Sequence, residues 1–390
     1  MSNDDKLTEK PADPNGTDQV DIGALPEELT ETRDLDGRKA AILTAVIVGA
    51  FAVMGAVATY MNGTLPGIFG SVMREAISPQ TAAVAIAVIG LNIHFGFTGL
   101  LNIGQAGFML LGAYGFAISV AQGLSFPVAI LIGIGAAVLF ALVLGMPTLK
   151  LRGDYLAIVT ISAAEIVRYV GRLSQLTDYT GGSQGLPGAR YNEPFIDWSF
   201  LPATGRFAIG PFDYQWTGSN GWWVRLVAWT LVFVILFVVW LLVRSPWGRL
   251  LKGIREDEDA IRSLGKNVYA VKMQALVLGG VLGAIGGMLY VLPTSVQADS
   301  MGRNLTFFIW TALLLGGAAT IFGPVLGTIL FFSLRILIRG VTDAYVPDSI
   351  LNTQQANQFA WIVVGVVLML LVIFRPQGIL GNKRELQFNA

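Results

Sequence analysis

The stretch "GIREDEDAIRSLG", residues 253–265, decides how the rest of the chain is interpreted. It places six charged side chains in thirteen positions of a chain in which only 13% of the residues are charged. Long apolar runs lie on both sides of it, at 223–243 and 271–292. A polar segment between two such runs is typical of a loop that connects membrane-spanning helices.

The composition supports this interpretation. Hydrophobic residues make up 54% of the 390-residue chain, and the mean hydropathy is +0.62. Several runs approach the roughly twenty apolar residues that a helix needs to cross a bilayer. The chain has no cysteine and one histidine, which excludes disulfides and thiolate metal sites and leaves little material for a catalytic triad. We therefore predict an all-α, polytopic membrane protein that is not an enzyme.

Hydropathy predicts ten membrane helices within a transmembrane domain that covers residues 37–381. The third, fifth and eighth are the weakest predictions, because glycine and polar residues interrupt them, so about eight to ten spans are expected. The spans lie at 40–61, 79–97, 101–121, 126–148, 154–170, 223–243, 271–292, 305–322, 324–342 and 357–374.

The distribution of charge predicts the orientation. Residues 1–36 hold eleven Asp or Glu against three Lys or Arg, a net charge of −8, which is typical of a disordered acidic tail. If the chain starts in the cytoplasm and crosses ten times, all eight of its lysines lie on the cytoplasmic side. We therefore expect both termini, including a short tail at 382–390, in the cytoplasm.

Two long loops follow from this topology. The segment 171–222 has no lysine and carries Trp198, Trp216 and Trp222, so it is expected outside the cell with tryptophan at the membrane interface. It is either a functional loop or a tolerated surface insertion. The segment 244–270, which contains the opening stretch, is expected in the cytoplasm.

The stretch "GFTGLLNIGQAGFMLLGAYG", residues 96–115, combines six glycines with Asn102 and Gln105 at predicted membrane depth. Broken backbone at that depth is tolerated only inside protein or along a watery cavity, and interrupted helices often carry transport sites. Two readings stay open. The amides either form hydrogen bonds between closely packed helices or line a transport pathway.

Three further features favour structural roles. Glu165 and Arg168 are three residues apart near the outer end of a predicted span, so an ion pair is expected there. His94 is expected to form hydrogen bonds between helices and receives no functional role. Gly279, Gly283 and Gly287 are spaced by four, which allows a second helix to approach closely.

The opening stretch itself predicts a short amphipathic helix. Over 254–264, Ile254, Ile261 and Leu264 would share one face, Arg255–Asp259 and Glu258–Arg262 would pair, and Gly265 would end the helix. From the pattern alone, the helix either lies against anionic membrane lipid or docks to a soluble partner.

Several stretches together resemble the M-type permease subunit of bacterial branched-chain amino acid ABC importers. They are "LNIHFGFTGLLNIGQAGFMLLGAY", "LKLRGDYLAIVTISAAEIVRYV", "TGGSQGL", "GIREDEDAIRSLGKNVYAVKMQALVLGGVLGAIGGMLY", "LLLGGAATIFGPVLGT" and "RPQGILG". They run in order from about residue 80 to residue 381. The acidic tail and the length of the 171–222 loop fall outside the resemblance.

The resemblance implies a multi-pass subunit of the bacterial cytoplasmic membrane. Its partners would be a second homologous permease, two ATP-binding subunits, an extracytoplasmic amino acid binding protein and membrane lipid, with no nucleic acid. ATP would bind only to the partners, since this chain has no G-x-x-x-x-G-K-[ST] motif and no cofactor of its own.

The resemblance also implies a role for the opening stretch as the coupling helix that contacts the ATPase. "EDAIRSLG" resembles the E-A-A…G signature of importer permeases, with Asp259 in place of the first alanine. The residues implied in coupling are Arg255, Glu256, Asp257, Glu258, Asp259, Arg262 and Gly265.

Other functions remain possible on the sequence alone. A permease of the same family that carries urea or short amides would share these motifs. A self-sufficient, ion-coupled secondary transporter would need charged coupling residues inside the membrane, for which Glu165 and Arg168 are the candidates. A membrane-embedded enzyme would need a nucleophile, a base or a metal cluster that the sequence does not offer.

Overall fold

The structure, a computed structural model, describes residues 27–61, 63–149, 153–347, 352–374 and 377–381, and it is almost entirely helical. The first helices are α1 (Glu27–Tyr60), α2 (Thr64–Ala76), α3 (Pro79–Leu91), α4 (Gln105–Ala121), α5 (Phe126–Thr148), α6 (Gly153–Gly171), α7 (Thr177–Thr180) and α8 (Glu193–Asp197). The later helices are α9 (Trp222–Arg244), α10 (Pro246–Glu256), α11 (Glu258–Ser263), α12 (Val268–Val291), α13 (Arg303–Gly316), α14 (Gly323–Tyr345) and α15 (Thr353–Phe374).

The chain divides into two units. The first, Met1–Thr44, contributes the beginning of α1, and the second, Ala45–Ala390, contains the other elements. Helix α1 begins at Glu27, within the segment 1–36 that is predicted to be an acidic tail, and the tail stays a prediction. Three glutamates and two leucines within 27–36 favour helix, and Glu27 and Glu28 lie in its first turn. The rest of the predicted tail, 1–26, and the tail 382–390 lie outside the described residues.

A helix lies at each of the ten predicted span positions. Within the described residues, six segments are long and apolar enough to cross a membrane, and α4 is a shorter apolar helix. These six are Ala41–Tyr60, Pro79–Phe97, Phe126–Thr148, Trp222–Arg244, Val268–Val291 and Gly323–Tyr345. The all-α fold is therefore confirmed.

Two predicted spans are shorter than expected because glycines interrupt them. The third begins at Gln105 instead of residue 101, since Gly99 has a φ of 76° and the following residues are not helical. The eighth ends at Gly316 instead of residue 322, because Gly317 has a φ of 109° and Ala319 a φ of 63°. Left-handed backbone of this kind stops an α-helix.

Helix α3 occupies the centre of the bundle. Ser78 caps it, with Oγ accepting a hydrogen bond from Thr81 N at 3.0 Å, and Pro79 starts its first turn. Nearly every residue from 79 to 91 is buried, as expected of a helix that is apolar on all sides. Helix α12 packs along it through small residues.

The 171–222 segment folds over one end of α12. Tyr191 Oη donates to Val291 O at 2.9 Å, and Leu186 pairs with Val296 in an isolated antiparallel bridge. Beyond α8, strands β1 (Arg206–Ile209) and β2 (Phe212–Gln215) form a two-stranded antiparallel hairpin. The segment is therefore folded and is hydrogen-bonded to the end of α12 and to the residues that follow it.

Candidate functional site: interrupted helices and the charged segment

Helix α3 does not simply end at Leu91. It continues as a π-helical turn over Asn92–Phe97 and then as irregular chain up to Gly104, and all of these residues except Gly99 are buried or partly buried in the bundle. π-Turns of this type are frequent at functional sites. The irregular backbone between this π-turn and α4 forms hydrogen bonds with other helices. Ile103 N donates to Thr160 Oγ1 at 3.0 Å, and Trp310 Nε1 donates to Asn102 O at 3.0 Å. Buried irregular chain at membrane depth is stable only when satisfied in this way.

The two amides predicted from the sequence lie next to each other in this interruption. Asn102 Nδ2 donates to Gln105 Oε1 and to His94 Nδ1, both at 3.0 Å, and Asn102 Oδ1 accepts from Gly104 N at 2.8 Å. His94 Nε2 donates to Leu276 O at 3.0 Å. Because a carbonyl only accepts, Nε2 carries the proton and Nδ1 accepts from Asn102. His94 therefore forms hydrogen bonds between helices, as predicted.

Gln105 completes the cluster by joining three helices. Its Nε2 donates to Ala87 O of α3 at 3.2 Å and to Gly279 O of α12 at 3.1 Å. Asn102, Gln105 and His94 are all fully buried. In this conformation the amides form hydrogen bonds between closely packed helices, and their role in a pathway stays a prediction.

The glycine spacing in α12 makes room for this cluster. A Cβ on Gly279 would lie 2.3 Å from His94 Nε2, and one on Gly283 would lie 2.8 Å from Gln105 Nε2. On Gly287 it would lie 1.9 Å from Met109 O of α4. The predicted packing role of these glycines is confirmed, because polar side chains and backbone of α3 and α4 fill the space that their side chains would occupy.

Asn92 joins this interruption to a second one, between α13 and α14. Its Nδ2 donates to Thr320 O at 2.7 Å, and its Oδ1 accepts from Ala319 N at 2.9 Å. Gly96 lies against the same point, since a Cβ there would be 2.5 Å from Ala319 N. The π-turn is therefore in direct contact with the break before α14.

The charged segment is not the single helix that the periodicity predicts. Asp257 has extended backbone, with φ −153° and ψ 102°, and separates α10 from α11. Its side chain caps α11 by accepting a hydrogen bond from Ala260 N at 2.9 Å. Since the helix breaks between them, the predicted pair Arg255–Asp259 is wrong, and Asp259 pairs with Arg262 at 2.9 Å.

Helix α10 is fastened to the bundle. Leu251 and Ile254 are buried, and Arg255 Nη1 donates a hydrogen bond to Gly96 O of the π-turn. The Arg255 side chain also lies against Gly99, where a Cβ would be 3.1 Å from Arg255 Cγ. The charged segment thus contacts the interrupted helix α3 itself. A cavity of about 310 Å³ lies at this junction, lined in part by Thr98, Arg255, Glu258 and Lys272.

Helix α11 turns its charges outward. The predicted pair Glu258–Arg262 is confirmed at 2.9 Å, and Glu258 also binds Lys272 of α12. Leu264 is 72% exposed whereas Ile254 is buried, so the prediction that the two share one face is wrong. Gly265 ends the helix in the left-handed region, with φ 73°, as predicted. Glu256 is exposed at the end of α10.

Comparison with known proteins identifies the family. Residues 73–373 match the family described as "Branched-chain amino acid transport system / permease component". The "High-affinity branched-chain amino acid transport system permease protein LivM" of Escherichia coli (strain K12) is 31% identical over 330 residues, covering 79% of this chain and 70% of that protein. This chain belongs to that permease family. The Salmonella typhimurium protein of the same name is 33% identical over 328 residues, with the same two shares.

A more distant relative belongs to the same group. The "Probable branched-chain amino acid transport permease protein LivM" of Methanocaldococcus jannaschii is 26% identical over 273 residues, covering 65% of this chain and 70% of that protein. The resemblance seen in the sequence is confirmed at the level of the family. The region that matches the family, 73–373, includes both interruptions and the whole charged segment.

In this family member, the predicted ion pair Glu165–Arg168 is part of a larger network. Arg168 Nη2 lies 2.7 Å from Glu165 Oε2, and Arg168 Nη1 lies 2.5 Å from Asp299 Oδ1. Arg172 and Arg303 extend the network, at 3.3 Å from Asp299 and 3.5 Å from Glu165. The pair is confirmed, and it fastens α6 to the start of α13.

Sequence reasoning missed a second charged cluster in the permease. Arg335 Nη2 of α14 lies 3.8 Å from Glu75 Oε1 of α2, and Arg339 Nε lies 3.4 Å from Asp343 Oδ2. The sequence did indicate this cluster, because the predicted span 324–342 contains two arginines. Charged side chains inside an apolar span are energetically costly and usually have a partner or a function.

The described residues contain no group of three or more His, Asp or Glu side chains arranged to hold a metal ion. The arrangement provides a continuous series of contacts from the surface into the helical bundle. A charged surface element is hydrogen-bonded to one interrupted helix, and that helix is hydrogen-bonded to another.

Proposed function

We propose that this chain is the permease subunit of an ATP-driven importer that carries branched-chain amino acids across the bacterial cytoplasmic membrane. Family membership and the curated relatives support the substrate class. The observation that carries the mechanism is the hydrogen bond from Arg255 to Gly96 O, which connects the charged segment to the interrupted helix α3. ATP acts in two partner subunits, beside a second permease and an extracytoplasmic binding protein.

The exposed helix α11 is the part that meets the ATPase. Its charges at Glu258, Asp259 and Arg262 are compensated among themselves and by Lys272, which suits a surface that must be both soluble and specific. This reading puts α10, α11 and both chain termini in the cytoplasm, in agreement with the lysine distribution.

Coupling follows from the contacts of α10. When the ATPases close, α11 and α10 move together, because Asp257 caps one helix directly at the end of the other. Arg255 then displaces the π-turn at Gly96, and Asn92 carries the displacement to Ala319 and Thr320. Two packing arrangements of these interrupted helices would provide alternating access, with no covalent step in this chain.

Asn102 and Gln105 are the candidate pathway residues. They are buried between α3, α4 and α12. In the proposal, displacement of the π-turn separates Gln105 from Gly279 O, so that the amide becomes free to meet the substrate. This exchange costs little free energy, since the hydrogen bond to Gly279 O is replaced by one to the substrate.

Transport by the reconstituted complex tests the function. Vesicles that contain the permease, its partner permease, ATPases and binding protein should take up labelled leucine with ATP and should not take up urea. Uptake of urea alone would make this chain a urea or short-amide permease. Leucine uptake that persists with an inactivated ATPase would indicate a self-sufficient ion-coupled transporter and overturn the proposal.

A further inference from the structure

The end of α9, helix α10 and the start of α11 divide into a basic part and an acidic part. Residues 244–255 carry four Lys or Arg and no Asp or Glu, and residues 256–259 carry four Asp or Glu and no Lys or Arg. The sign of the charge changes at the end of α10, next to the break before α11. A partner whose charge attracts one part repels the other, so the two parts are suited to different partners.

The exposed face of α9 ends at an arginine. Phe233, Phe237 and Leu241 are exposed at intervals of four residues along this helix, which is long and apolar enough to cross a membrane. Arg244 is the last residue of α9 and continues the same exposed stripe. Apolar side chains exposed on a membrane span suit the lipid tails, and a basic residue at the end of such a span lies at the level of the head groups. The stripe therefore leads from lipid tails to lipid head groups.

Two guanidinium groups at the corner between α9 and α10 have no acidic partner. Arg244 Cζ lies 4.2 Å from the centre of the Trp240 ring, so the side chain leans back along α9 toward the membrane. Arg249, near the start of α10, donates from Nη1 to Arg244 O at 3.3 Å. Both side chains are exposed, and neither forms an ion pair with any residue that the structure describes. Two positive charges that no carboxylate balances attract an anion from outside the chain.

We propose that this corner binds the phosphate group of an anionic membrane phospholipid, which Arg244 and Arg249 contact. Arginine suits this ligand, because its planar fork can bind two phosphate oxygens at once. The acyl chains of the lipid lie along the exposed stripe of α9, against Phe237 and Leu241. Trp240, whose ring stacks on Phe237, lies between the tails and the phosphate, as tryptophan does at membrane interfaces. The ATPase is the poorer occupant, because Arg244 continues an apolar, lipid-facing stripe.

The lipid gives α10 a second attachment. Its beginning is held at the membrane surface by the phosphate, and its end is held to the π-turn by the hydrogen bond from Arg255 to Gly96 O. The acidic start of α11 lies beyond both attachments and stays available to the ATPase. This inference rests on the proposed function for the cytoplasmic position of α10. Its tests measure lipid binding and need no transport, so the two can fail separately.

Replacement of both arginines tests the site. Phosphatidylglycerol is titrated into the complete, detergent-solubilised transporter, and the lipid bound to the permease is counted by native mass spectrometry. In Arg244→Gln/Arg249→Gln, the concentration for half-occupancy should rise about tenfold or more, since each basic residue near anionic lipid contributes a factor of about five. The matched control, Arg172→Gln/Arg206→Gln, removes two arginines that each pair with an aspartate and should leave that concentration unchanged. An equal rise in both double variants would reduce the effect to net charge and overturn the inference.

Photolabelling tests the same site in the unsubstituted complex, in phosphatidylcholine vesicles that contain some phosphatidylglycerol. Phosphatidylglycerol with a diazirine next to its head group should label residues 237–249, and phosphatidylcholine with the same diazirine should label them several times less. Equal labelling by the two lipids, or labelling of 237–249 only after the ATPases are removed, overturns the inference while the leucine permease stands. If the double variant does not assemble, the labelling decides alone. Selective labelling in a complex that takes up no leucine would keep the lipid site and remove the proposed function.

Discussion

The two halves of the charged segment differ in how they meet the rest of the molecule. Helix α10 buries Leu251 and Ile254 and hydrogen-bonds to the π-turn through Arg255. Helix α11 buries none of its residues, and Asp259 is 86% exposed. The boundary is a single residue, Asp257, which ends one helix and caps the next.

This difference assigns separate tasks to the two halves. A fastened helix transmits movement, since its buried contacts hold it to the bundle. An exposed, charged helix is available to a partner and contributes little to the stability of its own chain. Changes in α10 or its attachment should therefore disturb the permease itself, whereas changes of the exposed charges of α11 should disturb chiefly its response to the ATPase.

The largest effect is expected at the attachment point of α10. In Gly96→Ala, the new Cβ would lie 2.0 Å from Asn92 Oδ1 and 2.5 Å from Ala319 N, so the two interruptions must separate. Overpacking of this kind costs about 1–3 kcal/mol or more. We expect loss of transport and lower thermal stability in detergent. Gly135→Ala on α5, with nothing within 4 Å, is the control and should behave as the unsubstituted protein. Equal stability of the two variants would mean that the close contact at Gly96 does not contribute to the stability of the permease.

Charge reversal on α11 should have the opposite pattern. In Glu258→Lys/Asp259→Lys, the pairs with Arg262 and the pair of Glu258 with Lys272 are lost, but Glu258 and Asp259 are 35% and 86% exposed, so the permease should fold and insert. Uptake should fall about tenfold while ATP hydrolysis no longer responds to the substrate. Unchanged uptake and unchanged substrate-stimulated hydrolysis would remove the assignment of α11. The single variant Asp259→Lys tests the exposed charge by itself, because it leaves Glu258 and its pair with Lys272 unchanged.

Removing the fastening hydrogen bond should produce an intermediate effect. Arg255→Met keeps the stem over Gly99 but leaves Gly96 O without its donor, which costs about 1.5–3 kcal/mol for a bond from a charged group. We expect assembly with the ATPases to persist and uptake per ATP hydrolysed to fall severalfold. Arg249→Met, whose guanidinium bonds to Arg244 O nearby, is the control. An equal, small loss in both variants would mean that Arg255 transmits nothing.

The smallest effect is expected inside the bundle. Gln105→Ala removes the hydrogen bonds to Gly279 O, Ala87 O and Asn102 Nδ2, whereas Asn102 keeps its bonds with His94 and Gly104, so the loss is about 0.5–1.5 kcal/mol for each bond. Uptake of leucine should be lower without loss of assembly. Gln122→Ala, at the exposed end of α4, serves as control. Normal uptake in the Gln105 variant would return this amide to a purely packing role.

Much of the fold follows from the sequence because apolar runs and glycine spacing are local signals. Hydropathy within one segment predicts the ten helical positions, and residue spacing within one segment predicts the stripe at Gly279, Gly283 and Gly287 and the pair Glu165–Arg168. Hydropathy averages over a window, so it started the third span at residue 101, in the irregular chain that follows Gly99, and extended the eighth through Gly317, where positive φ stops the helix.

The rest of the site depends on contacts between distant segments. Helical periodicity predicted Arg255 beside Asp259, but Gly96, 159 positions away, takes its hydrogen bond. Asp257 is compatible with a helix interior and with a cap, and only the packing of α10 selects the cap. The Glu75–Arg335 pair spans two helices that hydropathy treats separately. No pattern within one segment contains such information.

The central claim is that α11 contacts the ATPase, and cross-linking measures this directly. Because the chain has no cysteine, a single Ala260→Cys substitution places a unique thiol on the exposed face of α11. Thr204→Cys, exposed next to the β1–β2 hairpin, is the control. In the assembled transporter, a bifunctional thiol-to-amine reagent should join residue 260 to the ATPase subunit and should not join residue 204. A cross-link to the ATPase from residue 204 with none from residue 260 would contradict the account.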